Sequence, residues 1–260
     1  MRTSLLAAGA LMLLALVPAG AQARIVSTPI TPAFQTNRLG AGTTATFHVA
    51  INTEDNANVL PSPGTHARVR LPKGIVINPK PFLRYAKGCT KANIDAHGPG
   101  VCSLRSKVGG GTSNVSAFLG GELVRERATV TAYGGPLEHG HPVLNLYVFA
   151  VSPISVQIVI KAVLVKEPAG SPYGYAFDAD IPRIQTTPGN DDASIISFDV
   201  KVGAKTTVRV RRHGRTRKVT EYLSYVPRRC PAGGFRWGGD FAFESGETSS
   251  ATATTPCPKG

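Results

Sequence analysis

The most constraining feature of the sequence is the stretch 142–165, PVLNLYVFAVSPISVQIVIKAVLV, which is the most apolar part of the chain after its N-terminal segment. Val, Ile, Leu, Tyr and Phe dominate it, and β-branched and aromatic side chains suit a pleated strand. Pro153 lies near its middle and has no N–H to donate to a helix or a ladder. We therefore predict two strands, roughly residues 142–150 and 154–165, with a corner at Ser152-Pro153.

The second of these strands alternates in polarity, which indicates one buried and one partly wet face. The expected inward side chains are Ile154, Val156, Ile158, Ile160, Ala162 and Leu164. A membrane span is the competing interpretation because the length is suitable, but Asn145, Gln157, Lys161 and the central proline argue against it. Burying such a face stabilises a fold by roughly 1.5–3 kcal/mol per large side chain, so it needs a second apolar surface.

The first 23 residues have the three parts of a secretory signal peptide. Arg2 gives a positive start, residues 5–17 are apolar, and Ala21-Gln22-Ala23 is a small-residue cleavage site. We predict a mature protein from about Arg24 that is secreted or extracytoplasmic and has no transmembrane segment. An uncleaved N-terminal anchor is the alternative.

Short Val-, Ile- and Thr-rich runs between Gly and Pro turns predict an all-β protein with little helix in the mature chain. One example is residues 43–52, where Ala45, Phe47, Val49 and Ile51 are expected to point inward. The expected architecture is an antiparallel β-sandwich of about ten strands, immunoglobulin-like or jelly-roll-like. Residues 24–260 are assigned to one domain, in which the glycines at 109–111 belong to a long crossover; as a domain boundary they would instead give 24–110 and 115–260 as a pair of β domains. Residues 122–132, ELVRERATVTA, predict a charged edge strand of low burial.

Four cysteines remain after cleavage, and an exported, even-numbered set predicts disulfides. Three connectivities are available, and the spacing favours Cys89–Cys102 and Cys230–Cys257. A zinc site would need close Cys or His pairs such as CxxC, which the sequence does not contain. We predict no metal and no cofactor.

A local motif resembles the immunoglobulin-like repeat domains of bacterial surface proteins. A strand ends in LPxG and a later cysteine is followed by Ser-Leu and a glycine turn, at Leu71, Pro72, Gly74, Cys102, Ser103, Leu104 and Gly109. The order of parts over the whole chain is similar to that of uncharacterised exported actinobacterial all-β proteins. The resemblance implies a surface protein and carries over no catalytic site; the LPxG–Cys unit occurs once, unlike in tandem repeats.

The formal net charge is +13, or +12 once Arg2 is removed with the signal peptide, although only 17% of residues are charged. Such an excess favours contact with anionic surfaces, and codon bias toward arginine is the alternative explanation. The charge is densest in a predicted hairpin over 206–226, with a turn at His213-Gly214. Its candidate anion-binding residues are Arg209, Arg211, Arg212, Arg215, Arg217 and Lys218. The alternative is a solvated hairpin whose charges protect a strand edge from aggregation.

Besides the hairpin, the sequence contains three weaker candidate sites: a loop with two histidines, a set of carboxylates and an aromatic cluster. Glu138, His139 and His141 share one loop, where two imidazoles could meet a metal, but a polar loop is the plainer interpretation. Asp178 and Asp180 lie on one strand face, as paired acids do in some glycoside hydrolases, with Asp240 and Glu244 as further candidates. The alternative is that they are surface carboxylates.

The third candidate is a cluster of aromatic residues near the C-terminus. Trp237, with Phe235, Phe241 and Phe243, could stack on sugar rings or pack a core. The sequence has no GxSxG elbow, HExxH or Walker loop. We therefore predict a non-enzymatic protein with a structural or adhesive role at the cell surface, contacting an anionic cell-wall or surface polymer rather than a specific nucleic acid. A secreted carbohydrate-binding protein or glycoside hydrolase is the alternative.

Overall fold

The computed structural model describes residues 23–258 except 37, 56–57, 154, 187–191 and 213–214, and, for residues 156 and 212, the backbone alone. The predicted signal peptide, apart from Ala23, therefore lies outside the described residues. The strands are β1 Ile25–Ser27, β2 Ile30–Phe34, β3 Gly42–Thr43, β4 Ala45–Ala50, β5 Asn52–Thr53, β6 Gly64–Pro72, β7 Val76–Ile77, β8 Lys107–Leu119, β9 Glu122–Glu138, β10 His141–Ala150, β11 Val156–Lys166, β12 Tyr173–Asp180, β13 Ser194–Val202, β14 Lys205–Arg212, β15 Arg215–Tyr222, β16 Ser224–Tyr225, β17 Phe235–Phe243 and β18 Thr248–Thr255. Two short helices, α1 Lys80–Leu83 and α2 Lys91–His97, and two 3-10 turns, Pro99–Val101 and Leu104–Ser106, complete the secondary structure.

Eleven strands form one antiparallel sheet in the order β18-β17-β6-β12-β11-β10-β9-β8-β13-β4-β2. Its outer strands β18 and β2 come into contact, and the hydroxyls of Thr28 and Ser249 are hydrogen-bonded at 2.8 Å. The sheet therefore curls into an almost closed cylinder. The all-β prediction is confirmed, and so is the strand pair predicted over 142–165, as β10 and β11. The finer sandwich type stays a prediction because hydrogen bonds link these strands into a single sheet.

Of two local expectations, one is correct in part and the other is wrong. The charged sequence of residues 122–132 predicts an edge strand, and this is correct for residues 122–128, which pair with β8 alone among the described strands, because the pairing with β10 begins at Thr129. The run Gly109-Gly110-Gly111 predicts a long crossover between strands, and this is wrong, because the run lies within β8 between β9 and β13. A Cβ atom at Gly111 would lie 1.8 Å from the carbonyl oxygen of Asp199, so the strands can approach this closely only without a side chain. The division into one or two domains stays a prediction.

The interior of the cylinder contains two clusters of apolar side chains. One comes mainly from β8–β11 and β13 and includes Leu146, Val148 and Ile160. The other comes mainly from β2, β4, β6 and β17 and includes Val49 and Trp237. These clusters are the apolar surfaces that the alternating strands required.

Both predicted disulfides, Cys89–Cys102 and Cys230–Cys257, are present, which confirms the connectivity that the spacing favoured. The first closes the loop that carries α2, and this loop covers the outer face of β10 and β11 through Ile94 and Val159. The amide of Asn145 donates to the carbonyl oxygen of Cys89 at 2.9 Å. The loop is thus held to the sheet by a covalent bond, apolar contact and a buried hydrogen bond.

One end of the cylinder is covered by short elements that we call the cap: helix α1 and the three-stranded sheet β3-β16-β7. Phe82 of α1 points inward and joins the first apolar cluster. Within the part of the chain that the structure describes, β14 and β15 pair only with each other, and β15 ends at Tyr222, two residues before β16 begins. We call this two-stranded hairpin the basic ribbon. Its second strand leads directly into β16 of the cap.

Candidate functional sites: a basic ribbon and an apolar cavity

The basic ribbon has the register that the sequence predicted. Val208 pairs with Val219 and Arg209 with Lys218, and the ladder ends where Arg212 pairs with Arg215. The connection His213-Gly214 and the Arg212 side chain lie outside the described residues. Each ribbon cation that the structure describes is exposed to solvent.

The ribbon has two unlike faces, because directly opposed residues of an antiparallel pair point the same way. The threonine face carries Lys205, Thr207, Arg209, Arg211, Thr216, Lys218, Thr220 and, at its base, Tyr222. The valine face carries Thr206, Val208, Val210, Arg215, Arg217, Val219 and Glu221. The predicted set of six cations is therefore split: Arg209, Arg211 and Lys218 share one face, and Arg215 and Arg217 the other.

The threonine face concentrates positive charge without an internal counter-charge. Arg209 and Lys218 are directly opposed, a placement that brings Cβ atoms to about 5 Å and destabilises a pair of like charges. The ribbon's carboxylate, Glu221, lies on the valine face and accepts a hydrogen bond from the Asn78 amide at 3.2 Å. Among the described residues, no ion pair involves a cation of the ribbon.

Asp178 and Asp180 do share a strand face, as expected, but it is the outer face of β12, because Phe177 and Ala179 line the interior. Asp178 is bound by two side chains of β6: His66, at 2.9 Å from its Nε2, and Arg68. No local pattern in the sequence indicated these partners, because β6 lies more than a hundred residues earlier in the chain.

The same network takes in further carboxylates. Arg68 contacts Glu167 at 2.9 Å, and Arg70 bridges Glu167 and Asp240. Burial lowers the pKa of Arg68, but hydrogen bonds and the charges of Glu167 and Asp178 outweigh it and raise that pKa above its usual value. Glu244 lies apart, paired with Arg183. Three of the four candidate carboxylates, Asp178, Asp240 and Glu244, are thus engaged in ion pairs, an arrangement that does not favour acid–base work on a glycan.

In the 138–141 loop, the Lys161 ammonium lies 2.8 Å from both carboxylate oxygens of Glu138, and this hydrogen bond lowers the pKa of Glu138. No cluster of three or more potential metal ligands occurs in the part of the chain that the structure describes. Nor do the described residues contain a helix that is long and apolar enough to cross a membrane.

Trp237 is 1% exposed, and its indole N–H donates to the Thr255 hydroxyl at 3.0 Å. Phe34 packs against both Trp237 and Phe235. Phe241 and Phe243 are buried as well. The aromatic cluster is core, which was one of the two interpretations of the sequence, and it presents no platform to solvent.

Trp237 and Phe241 also border a feature that sequence reasoning missed, a cavity of about 160 Å³ between the two apolar clusters. We call it the interior cavity. Its wall is entirely apolar and includes the predicted inward residues of the segment 43–52, namely Ala45, Phe47, Val49 and Ile51. A cavity of this size and character stays dry when it is empty, and one of similar volume accepts benzene or xenon.

The interior cavity exists because small side chains meet at one level of the sheet. Ala162 of β11 is directly opposite Ala179 of β12, and Ala179 is directly opposite Ala67 of β6. All three border the cavity. Three adjacent strands thus contribute single methyl groups where larger side chains would have filled the space.

A second cavity of about 70 Å³, which we call the cap cavity, continues the first toward the cap. Along β6, Ala67 and Val69 line only the interior cavity, Leu71 lines both, and Ile75 beyond the strand lines only the cap cavity. The two spaces therefore follow one another along the strand direction. Phe82 and Leu223 close the cap end.

Leaving the interior cavity empty is energetically expensive. At about 24 cal/mol per Å³ of unfilled volume, 160 Å³ costs about 4 kcal/mol. A typical domain has a total stability of roughly 5–15 kcal/mol. One or two larger side chains would fill the cavity and remove this cost. The presence of the cavity therefore calls for an explanation.

Comparison of the chain with protein-family models, with curated proteins and with solved structures finds no match. Function must therefore be argued from the two sites themselves.

Proposed function

We propose that this chain is an exported, non-enzymatic protein of the cell envelope that binds an anionic polymer through the threonine face of the basic ribbon. The observation that carries the proposal is the set Lys205, Arg209, Arg211 and Lys218, which share one exposed face. Arginine forks match phosphate and sulfate bidentately, and the neighbouring threonine hydroxyls can donate to the same oxygens.

Energetics favour a partner over a purely solvated ribbon. A two-stranded hairpin is marginally stable in water by itself, and the opposed Arg209 and Lys218 weaken it further. Protection of a strand edge does not require two cations to face each other across the ladder. A polyanion lying along the threonine face would remove this repulsion, so binding and ordering of the ribbon would support each other.

The remaining parts of the proposal concern compartment and kinship. Two disulfides fit an oxidising, extracytoplasmic compartment, as the signal peptide predicted for residues 1–23 requires. The immunoglobulin-like or jelly-roll-like type and the kinship with exported actinobacterial β-proteins stay part of this proposal. The carbohydrate-active alternative gains no support from Asp178 and Asp180, which face away from the interior cavity.

The test is elution of the purified protein from immobilised dextran sulfate in a salt gradient. The variant Arg209→Ser/Arg211→Ser changes the threonine face, and Arg215→Ser/Arg217→Ser removes the same charge from the valine face. We expect only the first to elute clearly earlier, with the salt dependence of binding reduced by roughly one unit of slope per lost contact.

Equal elution of both variants would contradict the proposal, because the charge would then act diffusely. A second arm uses vesicles of phosphatidylglycerol. Co-sedimentation with vesicles combined with no retention on the polymer would also overturn it and would make a lipid surface the partner.

A further inference from the structure

We propose that the interior cavity is a binding site for a single unbranched hydrocarbon chain, such as the alkyl or acyl chain of an amphiphile. This site is distinct from the ribbon: none of the residues that line the interior cavity belongs to β14 or β15, and its chemistry is the opposite of anion binding.

The apolar wall determines the class of ligand. Every side chain that lines the interior cavity is aliphatic or aromatic, and the Trp237 N–H is already engaged by Thr255. A polar ligand would lose its hydration without compensation in such a space. Water is excluded for the same reason, because it would find no hydrogen-bond partners there.

The shape of the space points to a chain rather than to a compact molecule. The interior and cap cavities are arranged in tandem along the strands, and the side chains that separate them include Leu71, Leu144 and Phe177. Small rotations of these three side chains would join the two spaces into one narrow channel. A flexible chain of methylene groups can occupy such a channel, whereas a broad ring system cannot.

The cap supplies the route of entry. Helix α1 has four residues and each strand of the cap sheet has two, so few hydrogen bonds hold this end closed. Elements of this kind open at low cost compared with the long central strands. Pro79 and Leu83, which border the cap cavity, are also partly exposed.

The sole tryptophan of the chain provides a direct assay. Trp237 borders the interior cavity and is 1% exposed, so iodide in solution should not quench its fluorescence. Bromodecanol is uncharged, and its bromine quenches tryptophan only at close contact. We expect saturable quenching by bromodecanol that unbrominated decanol reverses by competition.

Two variants test the location of the site. Ala162→Leu/Ala179→Leu fills the cavity and should weaken binding at least about tenfold, with a native near-ultraviolet circular dichroism spectrum as the folding control. Phe177→Ala makes the opposite change, joining the two cavities, and should shift the preference from bromodecanol toward bromododecanol. This second variant keeps the proposal testable if the filled protein does not fold.

Absence of saturable quenching in the wild type, or equal binding by the wild-type and filled proteins, would overturn the proposal. The ribbon variant Arg209→Ser/Arg211→Ser should bind bromodecanol like the wild type. Failure of the polyanion test would therefore leave this result unaffected, and failure here would leave the ribbon unaffected.

Discussion

Filling the interior cavity with one slightly larger side chain should stabilise the protein. Ala162 lies in the middle of β11, borders the cavity and is 3% exposed. The substitution Ala162→Val adds two methyl groups, each worth about 0.8 kcal/mol when buried, and valine suits a strand. We expect the free energy of unfolding to rise by about 1.6 kcal/mol and the melting temperature by roughly 3–6 °C.

The matched control is Ala128→Val, the same substitution at a buried position of β9. Ala128 is 0% exposed and belongs to the same apolar cluster as Ala162, but it does not border either cavity. Added volume there must displace its neighbours, at a cost of about 1–3 kcal/mol. Urea unfolding of the oxidised proteins, followed by circular dichroism at a constant m value, measures both changes. Similar destabilisation by the two variants would refute the inference that Ala162 borders unfilled space.

Three further predictions address the covalent link, an ion pair and a close approach of strands. Changing Cys89 and Cys102 to alanine should lower the free energy of unfolding by about 3 kcal/mol, given the sequence separation of 13, as urea titration would show; no change would mean that the loop is not constrained. Lys161→Met should raise the pKa of Glu138 toward its ordinary value, because the hydrogen bond that lowers it is lost, and NMR titration of the carboxyl carbon would detect this rise. In the wild type, the pair of Lys161 and Glu138 makes a small contribution to stability. This contribution is present above the pKa that Glu138 has in the unfolded chain, and it is lost as the pH falls through the lowered pKa of Glu138 in the folded protein. Gly111→Ala should destabilise the protein by more than about 3 kcal/mol, because its Cβ atom would collide with a backbone carbonyl oxygen; near-normal stability would contradict the observed strand spacing.

The elements of the sheet could be read from the sequence where a strand has one dry and one wet face. The alternation over residues 43–52 predicted Ala45, Phe47, Val49 and Ile51 as inward residues, and all four line the interior cavity. The disulfide pairing followed from spacing because each bond closes a local loop. These predictions depend on neighbours in the chain, which is why they are correct.

Features that depend on strand order could not be read in this way. The glycines at 109–111 suggested a crossover, yet they lie in the middle of the sheet, where β8 passes close to the backbone carbonyl oxygens of β13. The interior cavity requires that Ala67, Ala162 and Ala179 meet across three strands. Alanine at an inward position of an alternating strand was the available signal, but a single such position is ordinary, and its meaning appears only when β6, β12 and β11 are known to be adjacent.

The two proposed sites share the cap, and this gives their arrangement a physical consequence. The ribbon continues through Leu223 into Ser224 of β16, and both residues border the cap cavity. A polyanion bound along the threonine face would place the cap near the envelope surface, so the end of the cylinder that opens most easily would be the end that meets amphiphiles. The charge would then act as an anchor and the cavity as the receptor, and neither role requires a catalytic group.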